Sequence, residues 1–175
     1  MKIYIVRHGQ TDSNSKGIYN SISEDLNENG IKQAEELKNK IDNIDYDIVI
    51  ASPLVRALHT AQIINIKKKE IIIDDRLQER KVGSLEGVAL SQTNRDEYWN
   101  YYSNVKIGTE ESVPDLCTRV KEFIDDLKTK KFKSVLIVAH SGVSKAFYVY
   151  FNGIPADGNM LNVGLKNADV AEYEL

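Results

Sequence analysis

The chain has 175 residues, 42% of them hydrophobic and 28% charged, with a formal net charge of -3 at pH 7. That describes an ordinary globular chain, predicted as one domain spanning residues 1–175, and its mild negative charge excludes bulk attraction to nucleic acid or an anionic membrane. The single cysteine, Cys117, excludes an internal disulfide and a multi-cysteine metal centre. With no signal peptide and no bilayer-length apolar run, this predicts a cytoplasmic protein.

In chain order, Ile3 to Val6 form a continuous apolar run that predicts a buried strand. Gly17 to Asp25 reads as a loop. Asn27 then caps a helix with apolar residues at Ile31, Ala34, Leu37, Ile41 and Ile44, close to helical spacing, weakened slightly by Gly30. Asp47 to Ala51 is a second buried strand. Ser52 and Pro53 are read as the cap and first-turn proline of a helix carrying Leu54, Ala57, Leu58, Ala61 and Ile64 inward.

Ile71 to Ile73 predicts a short third strand, Arg76 to Gly87 an irregular segment, and Ala89 to Tyr102 a helix. Thr109 to Asp115 is a polar loop in which Ser112 is a cap. Leu116, Val120, Phe123, Ile124 and Leu127 give the clearest helical stripe. Ser134 to Ala139 is another buried strand, followed by a turn at Ser141–Gly142 and a helix to about Phe151. Met160 to Leu175 suggests two strands joined near Asn167–Ala168. This alternation predicts an α/β fold, a three-layer α/β/α sandwich around a mostly parallel central sheet.

Three strands end on chemically loaded residues. The first delivers Arg7 and His8, the second Ser52 and, one turn into the next helix, Arg56, and a later one His140. In parallel sheets, ligands bind beyond the carboxyl ends of the strands. Two guanidinium forks beside helix N-termini suit a phosphoryl group, whose oxygens planar donors grip in pairs. A core needs no Arg-His-Gly at a strand end, so the functional reading of these residues outweighs the packing one. His59, with no strand end or glycine near it, is read as a helix-surface residue. The histidine spacings match no zinc motif, and Arg7 would repel a cation, so no metal and no cofactor are expected.

Arg7-His8-Gly9-Gln10-Thr11 with Asn14 resembles the RHG signature of the histidine phosphatase superfamily, the phosphoglycerate mutase-like fold. The resemblance continues through Asp25-Leu26 to Gly30 and Gln33-Ala34, Ser52-Pro53-Leu54-x-Arg56-Ala57, Leu77-x-Glu79 with Gly83 to Gly87, Glu111-Ser112 with Arg119-Val120, and Val138-Ala139-His140. It implies a metal-independent phosphomonoester hydrolase in which His8 becomes phosphohistidine. By the same resemblance, Arg7, Arg56 and His140 hold the phosphoryl oxygens and Glu79 protonates the leaving group. Neighbouring arginines would keep His8 neutral and therefore nucleophilic. A bound phosphate dianion would favour the protonated Glu79 that an acid role needs. Asn14 and Ser141 are candidate contacts to the phosphate or substrate, although Asn14 also fits an Asx turn and Ser141 a helix start.

Several positions depart from the family pattern. Asn27 replaces a threonine, Ser141-Gly142 replaces a glycine pair, and Lys145 replaces a frequent arginine. Gln10 stands where many relatives carry glutamate. The Gly17-Ile18-Tyr19 loop lacks the usual basic and glutamine-bearing pattern, which leaves substrate identity open. The stretch between the acid segment and His140 is short, which favours water as acceptor and a phosphatase over a mutase. Tyr98, Trp99, Tyr101 and Tyr102, on a candidate lid from Asp96 to Gly108, either contact a ring-bearing substrate or pack on the domain.

The expected partner is a small phosphorylated substrate, with neither nucleic acid nor a membrane, and a homodimer is left open. Lysine runs at Lys67–Lys69 and Lys128–Lys133 read as solvated helix ends, and Cys117 as a core residue. The alternatives are phosphoglycerate mutase-type phosphoryl transfer and a non-catalytic phosphoryl-binding protein.

Overall fold

The computed structural model describes residues 1–103, 106 and 111–175. Five strands form one sheet: β1 (Lys2–Arg7), β2 (Ile48–Ala51), β3 (Ile71–Ile73), β4 (Ser134–Ala139) and β5 (Val170–Glu174). Their order is β3-β2-β4-β1-β5. β1, β2, β3 and β4 pair in parallel, and β5 runs antiparallel to β1 at the edge.

Alternate strand residues face opposite layers. Tyr4, Val6, Val49, Ala51, Leu136 and Val138 pack on α2 (Glu28–Ile41) and α3 (Val55–Ile64) through Ala34, Leu37, Ile41, Ala57, Ala61 and Ile64. Ile3, Ile5, Ile48, Ile50, Val135 and Ile137 pack with residues of α5 (Val113–Leu127) and α6 (Ser141–Asn152). The inward stripe of α5 is the predicted one, and Ser112 closes its first turn in a capping box with Asp115. The result is the expected α/β architecture. No helix among the described residues is long and apolar enough to cross a membrane.

Several readings of the sequence change. α3 begins at Val55, not at Pro53: Leu54 is its extended N-cap residue, and Ser52 Oγ accepts from Leu54 N–H at 3.3 Å rather than from the first turn. The predicted helix over Ala89 to Tyr102 shrinks to a 3-10 turn (Leu90–Gln92) and the short α4 (Arg95–Tyr98), since Thr93 is extended and Asn94 starts a new cap. The tail carries one strand rather than two, because its backbone groups from Met160 to Leu165 bind Lys145, Ser144 and Arg7 instead of a ladder. Unforeseen, Thr11 caps a short helix α1 (Asp12–Lys16) directly after the Arg-His-Gly turn. Ile44 lies beyond the end of α2, and Ile31 on that helix is 37% exposed. Gly108 and Thr109, the ends of two predicted segments, lie outside the described residues.

Gly9 and Gly30 fit together backbone to backbone. A Cβ on Gly9 would meet Gly30 O at 2.3 Å, and one on Gly30 would meet Gln10 O at 2.0 Å. Gln10 is fastened there too: its N–H donates to Gln33 Oε1 at 2.8 Å, and its side-chain oxygen accepts from Asn29 Nδ2 at 3.0 Å. The loop after β1 is thereby held on the first turn of α2.

Candidate active site

The sheet ladder continues past the strand ends. His8 N–H donates to Ala139 O at 3.0 Å and Ser52 N–H donates to Val138 O at 3.0 Å. β4 lies between β1 and β2, so His8, His140 and Ser52 emerge side by side. The two imidazole ring centres are 5.1 Å apart at an interplanar angle of 61°. His140 Nε2 lies 2.8 Å from Ser52 Oγ.

His8 Nδ1 is 2.6 Å from Gly9 O. A carbonyl oxygen only accepts, so Nδ1 carries the hydrogen and Nε2 keeps its lone pair. Burial, reinforced by the Arg56 and Arg7 charges, holds the His8 pKa well below its ordinary 6.5. The ring is neutral at pH 7 and oriented to act through Nε2. His140 is also pushed well below 6.5, first by burial and then by Arg56 and His8. Its Nδ1 is buried with no partner among the described residues.

Arg7 and Arg56 flank this row. Arg7 Nη1 donates to Leu165 O at 3.0 Å and Arg56 Nη1 to Ser21 O at 2.8 Å. Those bonds fix each guanidinium while its Nε stays buried without a partner among the described residues. A buried donor left unmade costs about 1–3 kcal/mol, so both arginines are set to gain from an anionic acceptor. Together they line a cavity of about 280 Å³ with Asn14, Glu79, Arg80, Arg95, Trp99 and Ser141, among others. The two histidines do not line it: His8 keeps 2% exposure and His140 none.

Glu79 faces the start of α6. Its Oε1 accepts from Arg80 N–H at 2.9 Å, and Gly142 N–H reaches Oε1 at 2.9 Å and Oε2 at 3.2 Å. An ion pair behind it holds its chain segment in place. Arg119 grips Glu111 with two bonds, Nε to Oε1 at 2.8 Å and Nη2 to Oε2 at 2.7 Å, while Arg119 Nη1 donates to Arg76 O and Gln78 O. Glu111 N–H in turn donates to Lys81 O at 3.1 Å. Five of the predicted site residues thus converge: Arg7, His8, Arg56, Glu79 and His140.

A family model described as "Histidine phosphatase superfamily (branch 1)" matches residues 3–175. The chain belongs to this superfamily. It is 31% identical over 177 residues to the metal-independent phosphoserine phosphatase of Arabidopsis thaliana, covering 94% of this chain and 74% of that protein. It is 28% identical over 166 residues to the adenosylcobalamin/alpha-ribazole phosphatase of Escherichia coli, covering 90% of this chain and 82% of that one. Among solved structures, the alpha-ribazole phosphatase from Shigella flexneri superposes with a TM-score of 0.84 at 27% identity, covering 100% of this chain and 91% of that one.

In this member of the superfamily, Asn14 is already engaged. Its Oδ1 accepts from Thr11 N–H at 3.3 Å and from Asn167 Nδ2 at 3.0 Å, and its Nδ2 donates to Asn20 Oδ1 at 2.8 Å. Ser141 lines the cavity as the first residue of α6. His59 stands apart on α3, 3.0 Å from Asp25 Oδ1. Among the described residues, no three His, Cys, Asp or Glu side chains group as metal ligands. Cys117 packs beside the core, where burial pushes its thiol up to about 12.

Of the aromatic segment, Tyr98 and Trp99 belong to the cavity wall, whereas Tyr102 is 63% exposed and does not line it. Tyr98 and Trp99 are 3% and 6% exposed. Arg80, itself 2% exposed, lies 3.8 Å from the Tyr98 ring centre and 5.3 Å from that of Trp99, and its Nε donates to Glu111 O at 2.6 Å. Lys145 Nζ lies 5.1 Å from the Trp99 ring centre and donates to Met160 O at 2.7 Å, with a second bond to Leu161 O. Burial draws its ammonium down to about 8.

Sequence reasoning missed Arg80, Arg95 and Asn167 at this site. Asn167 Nδ2 donates to His8 O at 3.0 Å and to Gly9 O at 3.2 Å, tying the turn from below. No sequence signal marks it. Arg80 has a signal, its place directly after Glu79 in the segment that carries the family pattern.

Proposed function

We propose that this chain is a metal-independent phosphomonoester hydrolase that works through a phosphohistidine on His8 and acts on small phosphorylated metabolites. Supporting the reading are the phosphatase names of its relatives and, above all, one observation. A neutral, buried imidazole has its Nδ1 committed to Gly9 O, and it stands between two fixed arginines with unmet donors.

In this account, Arg7, Arg56 and His140 Nδ1 draw the phosphoryl oxygens toward His8. His140 Nε2 lies 2.8 Å from the Ser52 hydroxyl, and with that hydroxyl as donor the ring proton sits on Nδ1. His8 Nε2 attacks phosphorus, the bond to the alcohol oxygen breaks, and Glu79 gives its proton to that oxygen. The guanidinium groups stabilise the charge spread over the transferring group. Water then attacks the phosphohistidine. Glu79 takes a proton from that water, the N–P bond breaks, and phosphate and neutral His8 are restored.

The test is phosphate release from 4-nitrophenyl phosphate in the presence of chelator, comparing wild type with His8→Ala. Release that survives chelation and disappears in the variant is the expected result. Equal release from both overturns the nucleophile assignment. No release from either overturns the hydrolase reading and shifts weight to a mutase or a phosphoryl-binding protein.

A further inference from the structure

Arg7 is aimed by a carbonyl that belongs to a stretch of chain outside the sheet. Its Nη1 donates to Leu165 O at 3.0 Å, and residues 160–165 join no strand. Side chains of α6 hold this stretch instead. Ser144 Oγ accepts from Leu165 N–H at 3.0 Å while donating to Ser141 O at 2.7 Å. One residue on, Lys145 Nζ donates to Met160 O at 2.7 Å and to Leu161 O. The stretch also packs directly on that side chain. A Cβ on Gly164 would meet Lys145 Cγ at 2.9 Å and Nζ at 3.1 Å.

Lys145 is 3% exposed and does not line the cavity. Burying an ammonium is costly, and an apolar side chain would fill the same space without that cost. What the ammonium adds is a pair of charge-assisted bonds, stronger than neutral ones, to carbonyls that lie outside any sheet. Three charged groups from other parts of the chain act on it: Glu79 favours the ammonium, whereas Arg95 and Arg7 oppose it. Residues 160–165 carry no titratable side chain of their own. Burial outweighs the rest and draws the ammonium down to about 8.

We propose that Lys145 is a positioning residue for phosphoryl binding: it clamps the 160–165 segment so that Leu165 O aims the Arg7 guanidinium at the phosphoryl group. This rests on the phosphatase reading above. Its consequence is an alkaline limit on activity. Above about pH 8 the amine is neutral, its bonds lose their charge assistance, and the aim of Arg7 loosens.

The experiment follows kcat/KM on 4-nitrophenyl phosphate from about pH 6.5 to about pH 9.5, a range that spans the free and shifted lysine values. This leaving group needs little protonation, so titration of Glu79 adds no alkaline fall. In the wild type kcat/KM should fall as pH passes through about 8. In Lys145→Arg the fall should move beyond the range, because a guanidinium keeps its proton. Lys145→Met should lower kcat/KM at neutral pH by roughly tenfold, the worth of one charge-assisted bond, and abolish the fall. In an Arg7→Met background, Lys145→Met should cost little more, since the clamp acts through that guanidinium.

A fall at the same pH in Lys145→Arg, or no fall in the wild type, overturns the proposal. So does an equal cost of Lys145→Met with and without Arg7, which would confine the clamp to folding. If neither Lys145 variant folds, judged by circular dichroism, the residue is structural and the proposal fails while the phosphatase reading stands. If the wild type releases no phosphate at any pH, that reading fails and takes the proposal with it.

Discussion

The Glu79 carboxylate sits where a side chain at Gly142 would have to begin. The Gly142 N–H reaches both carboxylate oxygens, and a Cβ at residue 142 would stand 2.3 Å from Oε1. Glycine is therefore required at the second position of α6 for the carboxylate to sit where it does. Gly142→Ala should push Glu79 aside, because the end of a flexible side chain yields more easily than backbone. Activity should fall on the order of a hundredfold on alkyl phosphates, the low end of general acid–base contributions. The loss should be smaller on 4-nitrophenyl phosphate, whose leaving group needs little protonation. Steady-state kinetics on both substrates check this, and an equal loss would contradict it.

Gly30 makes the opposite kind of contact, with backbone. Alanine there gains about 1 kcal/mol of helix propensity. Its Cβ, however, would fall 2.0 Å from Gln10 O and 2.7 Å from Gln10 N. Overpacking of this kind costs about 1–3 kcal/mol, and here the loop bearing His8 must move. Gly30→Ala should lower both stability and kcat/KM. Denaturant unfolding and kinetics on one preparation test it, and a stabilised, fully active variant would refute it.

The Arg119–Glu111 pair does not itself line the cavity, yet it fixes the carbonyls of Arg76 and Gln78 just before Glu79. The two side chains are 18% and 11% exposed. Arg119→Met strands a mostly buried carboxylate, at a cost of about 3 kcal/mol. It should also reduce kcat more than it raises KM, because Glu79 loses its support. Arg119→Lys should rescue little, since an ammonium cannot form the paired contact. A variant with lost stability but unchanged kcat would confine the pair to folding.

Acid should weaken the fold through the two buried histidines. Both are held neutral in the folded chain, whereas the unfolded chain titrates near the ordinary 6.5. Below that pH the unfolded chain binds protons that the folded chain cannot, so stability drops as pH falls. The slope is about 1.4 kcal/mol per pH unit for each histidine, and above about pH 7 this contribution is flat. Urea unfolding at about pH 5.5 and 7.5 measures it. His140→Asn should remove about half of the slope, and an unchanged slope would show that other groups carry it.

The residues legible in the sequence share one property: their meaning is local. Arg7, His8, Ser52 and His140 each end a buried apolar run, and Arg56 lies one turn into the next helix. Glu79 was found through the family pattern around it. Residues that act across the chain left no such mark. Arg7 is oriented by Leu165, 158 positions away, and the turn at His8 by Asn167. Local pattern could not show that the 160–168 segment gives up strand pairing to serve Lys145, Ser144 and Arg7. Gly30 was visible only as a weak helix residue, because its partner Gln10 lies in another element. Arg95 fell inside a stretch read as one long helix, and the break at Thr93 that turns it into the cavity was not anticipated.

The central claim, a phosphoryl group carried on His8, is tested most directly with Glu79→Gln and 4-nitrophenyl phosphate. This leaving group departs without a proton, so His8 can still be phosphorylated, but the variant lacks the base that activates water. The protein should then accumulate one phosphoryl group, seen by intact mass spectrometry after an alkaline quench and mapped to His8. It should be absent from the His8→Ala, Glu79→Gln double variant. A phosphoryl group mapped elsewhere, or full turnover in the double variant, would contradict the account.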